Sequence, residues 1–193
     1  FANTLEEKLA LPPVGLLTDA DPGRPLTVPS APGRPAGLHF SAKGERARLP
    51  RADELHGAEA RAVLLHSFAN HEMLAVELMA LALLKFPDAP AAFRRGLVHT
   101  LREEQEHTRL YMERMARCGL QFGDLPVNGF FWRHVSGMES PIDYVSRLSL
   151  TFEQANLDYS RHFGGIFDRM ARAPSTAEVE RRTLSAALHG VPA

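Results

Sequence analysis

A glutamate in the middle of an apolar helix constrains this chain more than anything else in it. Glu72 stands in FANHEMLAVELMALALL, where Leu65, Phe68, Glu72, Ala75, Val76 and Met79 recur at three- and four-residue steps. That is the spacing of one helix face. The end of the segment is apolar nearly all round, as in a helix buried on several sides. A carboxylate there is costly unless something cationic compensates it. Glu153 poses the same problem in RLSLTFEQANLDYS, between an apolar run and Gln154-Ala155.

Two readings follow from the residues. Glu104 and His107 form a Glu-x-x-His pair in LREEQEHTRLY. Three residues is nearly one turn, so both side chains reach one point on the same face. A four-helix bundle with a Glu from each of two helices and a Glu-x-x-His from each of the other two can hold two metal ions. Glu72, Glu153 and the pair Glu104–His107 are three of those four parts. Carboxylate and imidazole donors suit iron or manganese better than copper or a structural zinc. The other reading is a metal-free bundle whose buried acids pair with Arg102, Arg109 or Arg147, with EEQEH as a solvated face. Alone the pair is a weak signal, because chance supplies about one in a chain of this composition. Glu77 lies about 140° around the helix from Glu72 and is expected to meet a basic residue instead. His71 reads more as a surface or interface residue than as a neighbour of the site. His66 and His99 read as ordinary.

Residues 1–50 carry most of the prolines, in LPPVGLL and DPGRPLTVPSAPGRPAG. Proline fixes the backbone and removes a donor, so this stretch reads as an extended arm after a short helix at 4–10. The two PGRP repeats read as turns, and the arm as a wrap or linker. Residues 51–193 read as the helical bundle. One helix runs to Phe86-Pro87-Asp88, and a second from Pro90 to Cys118, with Gly119 as its stop. Residues 119–139 form a long connection, suited to a crossover. Its Phe130-Phe131-Trp132 cluster reads as a cap on the bundle. Ser140-Pro141-Ile142-Asp143 starts a third helix, expected to reach about residue 172. Ser175-Thr176-Ala177-Glu178 opens a fourth, about half as long. The mismatch implies missing chain, or a second copy completing the bundle.

The 193 residues suffice for one domain with a real core. A net charge of -1 gives no support to nucleic-acid or membrane binding through bulk charge. The apolar stretch 73–86 is interrupted by Glu77 and Lys85 and is short for a bilayer span. The single cysteine, Cys118, forms no internal disulfide and fits a reducing cytosol. No signal-peptide pattern, phosphate loop or Ser/His/Asp arrangement is visible.

HSFANHEMLAVELMALALLKFPDAP, FRRGLVHTLREEQEHTRLYMERM, PVNGFFW and RLSLTFEQANLDYS, taken together, resemble the ferritin-like proteins of domain-of-unknown-function family 455. The resemblance covers about residues 35–165. More distantly the helices resemble those of ubiquinone-pathway and tRNA-modifying di-iron hydroxylases. It implies an all-α, ferritin-like four-helix bundle with a Pro-rich N-terminal arm, and a centre of two irons, or manganese. Glu72, Glu104, His107 and Glu153 match the ligands. The activity implied is an O2-dependent oxidoreductase or hydroxylase of a small molecule. The alternatives are a ferroxidase without organic substrate and a metal-free helical interaction module. A homodimer fits either metal-binding reading. The chain departs from the family in one place. The second Glu-x-x-His of a fourth long helix has no counterpart in FDRMARAPSTAEVERRTLSAALHGVPA. That pair is expected in a segment outside this sequence; the alternative is that it was lost, leaving one metal or none.

Overall fold

Two long antiparallel helices, α2 (Ala58–Lys85) and α3 (Ala91–Arg117), form the centre of the fold. Phe86-Pro87-Asp88 ends α2 where expected, and Pro90 caps α3 one position ahead of its first helical residue. The computed structural model describes residues 2–11, 19–42, 45, 47–148 and 165–166. Across these the chain is all-α, with one isolated bridge between Phe40 and Val127. Glu153, most of the expected third helix and all of the fourth lie outside the described residues.

The helix ends follow local chemistry. Helix α1 (Leu5–Leu9) opens on a capping box, in which Thr4 accepts from the Glu7 amide and Glu7 accepts from the Thr4 amide. At the end of α3, Gly119 adopts φ +84°, a conformation that favours glycine. The Gly119 and Leu120 amides then donate to Ala116 and Met115, closing the last turn. Ser140 accepts from the Asp143 amide and Pro141 takes the first position of α5 (Pro141–Val145). The connection 119–139 is less open than the sequence suggested. It contains α4 (Phe130–Val135), whose Trp132 and Val135 are both buried.

Helix α2 is buried along its length, whereas α3 buries one stripe that includes Leu97, Tyr111 and Met115. Two apolar clusters hold the pair. One joins Leu64, Leu65 and Ala69 of α2 to Tyr111 and Met115 of α3, with Leu55 and Ile166. The other joins Leu74, Leu78 and Leu81 to Leu97, Trp132, Val135, Met138 and Tyr144. By length and composition α2 is able to cross a membrane, but 61% of its most apolar window is buried inside the fold. Leu78 is fully buried. Leu78→Ala is expected to lower stability by about 2–5 kcal/mol through lost transfer energy and the cavity left behind. Urea unfolding checks this, and a loss below ~1 kcal/mol would show that α2 is not central.

The proline-rich N-terminal stretch is laid along the helix pair. The Leu26 amide donates to the Leu84 carbonyl, the Trp132 indole to the Ser30 carbonyl, and Ser41 to Val127. The two PGRP repeats behave differently. At the first, Gly23 has φ +79° and its amide donates to the Asp21 carboxylate, a turn that leaves Arg24 exposed. The second is extended and buries Arg34. Identical tetrapeptides thus serve as a surface turn and as an anchor, according to whether a carboxylate waits opposite.

Candidate metal centre

The Glu72 face of α2 turns toward α3, where Glu104 and His107 are separated by one turn. One candidate donor atom from each residue lies within 4.8 Å of the other two. The His107 Nδ1–H donates to Glu104 Oε2 at 3.0 Å, and the two side chains are 19% and 12% exposed for Glu104 and His107 respectively. The three sit between the two apolar clusters. Residues 62–69 of α2 and 111–115 of α3 pack on one side, and residues 74–82 and 97–101 on the other.

The electrostatics of the pair are unbalanced. Burial pushes the Glu72 carboxyl well up, and the charge of Glu104 and a hydrogen bond with it push it further. Burial also raises Glu104, but the hydrogen bonds from His107 and Glu72 outweigh it and hold that carboxyl below its ordinary value. Of the two carboxyls, Glu72 is therefore the one that holds a proton more tightly. Two carboxylates this close in a partly buried site favour any cation that neutralises them. The donor set, two carboxylates and an imidazole, can hold a metal ion.

Two of the three arginines open at the sequence level pair with other acids. Arg109 pairs with Glu106 at 2.8 Å and Arg147 with Asp143 at 2.6 Å. No arginine is among the described groups that shift Glu72 or Glu104. The acid run divides by face. Glu106 is half exposed and Glu103 lies beside His99 at 3.9 Å, while Glu104 and His107 turn inward. Glu77 does meet basic residues, Arg34 and Lys8, on the far side of α2. His66 is buried and structural, its Nε2 accepting from the Gly123 amide.

Two further residues neighbour the cluster: His71, for which the sequence favours a surface or interface role over one beside the site, and Tyr111, which the sequence reading misses. His71 is half-buried rather than a surface residue, with its ring edge-on to Phe131 at 4.6 Å. Burial holds its pKa at about 4, against the pull of Glu104, so the ring is neutral at pH 7. Tyr111 is 3% exposed and packs against Phe68. Burial and then the charges of Glu72 and Glu104 push its phenol well up. Tyr111 stands four residues after His107, so helical arithmetic would have found it. His71 owes its place to α4, which periodicity in α2 cannot reveal.

Comparison with known proteins adds a family and no function. A family model described as protein of unknown function (DUF455) matches residues 4–182. No curated protein and no solved structure matches the chain.

Proposed function

The chain belongs to the DUF455 family, and from that premise we propose that it is a ferritin-like di-metal carboxylate protein acting as an O2-dependent oxidoreductase. The observation that carries the reading is the convergence of Glu72, Glu104 and His107, one donor atom of each within 4.8 Å of the other two, where burial and the Glu104 charge push the Glu72 carboxyl up and a cation would relieve it. In this reading residues 51–193 form a four-helix bundle and residues 1–50 an arm against it. Glu72, Glu104 and His107 hold the metal together with Glu153 of the next helix, and the ions are iron or manganese. A bound di-iron centre would supply the electrons that reduce dioxygen. The protein's own part is to fix the donors on two rigid helices and to keep water away with the apolar clusters on either side. His71, edge-on to the Phe131 ring, lies near enough to Glu104 to feel its charge. The substrate beside O2 is a small molecule, and the single cysteine suits a cytosolic setting.

The test is anaerobic reconstitution with Fe(II), elemental analysis, then exposure to O2. The expected result is iron bound in a fixed ratio to chain and lost in Glu104→Ala, with O2 consumed on mixing. Continued Fe(II) turnover without any organic reductant would make the protein a ferroxidase. No iron bound by the full native chain would overturn the reading.

A further inference from the structure

Behind the carboxylate cluster, the same turns of α2 and α3 carry a second buried polar group. Arg34 grips Glu77 with two nitrogens, Nε at 2.9 Å from Oε1 and Nη2 at 2.7 Å from Oε2. Lys8 Nζ lies 3.0 Å from Glu77 Oε1. Arg34 Nη1 donates to Asn70 Oδ1 at 3.1 Å and to the Leu38 carbonyl at 3.3 Å. On α3, the Gln105 amide donates to the carbonyls of Lys8 at 2.7 Å and Ala10 at 3.3 Å. The Arg34 and Glu77 side chains are 2% and 3% exposed, and Lys8 is 9% exposed.

The placement of these contacts along the helices is the point. Asn70 and Glu77 bracket Glu72 on α2. Gln105 falls between Glu104 and His107 on α3. The N-terminal segment therefore holds both helices at the level of the cluster, from the opposite face. The apolar clusters above and below attract without direction, whereas a forked guanidinium on a carboxylate fixes geometry. Donor positions within fractions of an ångström decide how well a site takes a metal.

We propose that Arg34 and Lys8 are positioning residues for the Glu72–Glu104–His107 cluster, setting through Glu77, Asn70 and Gln105 the helix separation at which it takes a divalent cation. The proposal rests on the metal-binding reading above. Coupling of this kind is reciprocal, so metal at the cluster must tighten the hold on the N-terminal segment.

The test uses the full chain and Mn(II) alone, so that no oxygen chemistry intervenes. Lys8→Met, Arg34→Met and Glu77→Leu are combined, which removes all three charges and leaves no buried ion without its partner. The folded triple variant is expected to bind Mn(II) at least tenfold more weakly than the parent. In the parent, hydrogen exchange of peptides covering residues 19–42 is expected to slow on Mn(II) addition, a linkage that a merely structural latch would not show. This second measurement stands even if the variant does not fold. Unchanged affinity in a folded triple variant, or exchange in 19–42 that ignores Mn(II), would overturn the proposal. A parent chain that binds no Mn(II) removes the metal reading itself, which separates the two failures.

Discussion

Glu77→Ala is expected to destabilise the protein by roughly 3–5 kcal/mol, the cost of removing one partner from a buried ion cluster. The substitution leaves Arg34 and Lys8 facing one another across the space the carboxylate filled, with side chains only 2% and 9% exposed. Neither can turn to water without pulling the N-terminal segment off the helices. Asn70 then loses its position as well, because Arg34 holds its Oδ1 and its amide donates to the Asn128 carbonyl. Urea unfolding followed by circular dichroism gives the number. A loss below about 1 kcal/mol, in the range of exposed ion pairs, would mean that these charges are already solvated and that the segment is not docked.

Five residues away on the same helix, Glu72→Gln is expected to act in the opposite direction. In the metal-free protein Glu72 is the acid whose carboxyl is pushed up, by burial and then by the charge of Glu104. Glutamine keeps the size and the hydrogen-bonding capacity without the liability of charge. Stability of the metal-free protein at neutral pH should rise by on the order of 1–3 kcal/mol, the usual penalty of a buried polar group without adequate partners. Metal stabilisation should disappear in the same variant, since a neutral amide is a poor substitute for an anionic ligand. The pH dependence carries the sign. The folded state holds the Glu72 proton more tightly than the unfolded chain does. Stability is therefore lost as pH rises above the ordinary glutamate value of about 4.3. Glu104, held below its ordinary value, loses its contribution only as pH falls below that range, so the two windows do not overlap. The parent should weaken from mildly acidic to neutral pH, and Glu72→Gln should weaken less. Thermal melts at several pH values, with and without Mn(II), check both halves. A variant less stable than the parent in the absence of metal would show that Glu72 is an ordinary charged ligand of some unseen cationic side chain.

These two acids show what was legible in the sequence. Helical periodicity placed Glu72 and Glu77 on different sides of α2, and the structure does separate them. Spacing also brought Glu104 and His107 to one point, because a turn of helix is a local property. The stops at Pro87 and Gly119 and the Ser140-Pro141 start were legible for the same reason. What spacing could not supply was the partner of each acid. Arg34 is 43 residues from Glu77 in sequence, inside a tetrapeptide repeated ten residues earlier in an exposed turn. Nothing local distinguishes the two arginines. Only the path of the chain over α2 does. The place of His71 likewise depends on Phe131 of α4, a tertiary contact. The fourth-helix ligand pair implied by resemblance has no counterpart here, and Glu153 lies outside the described residues.

The two apolar clusters above and below Glu72, Glu104 and His107 also decide the direction of traffic. Along the helix axis both routes are closed, by Leu65, Ala69 and Met115 at one end and by Leu74, Leu78 and Leu97 at the other. From the side of the N-terminal segment, the way is blocked by Arg34, Glu77 and Gln105. Among the described residues, these groups wall the cluster along the helix axis and on the side of the N-terminal segment, so an ion reaching it has the opposite face of the helix pair to cross.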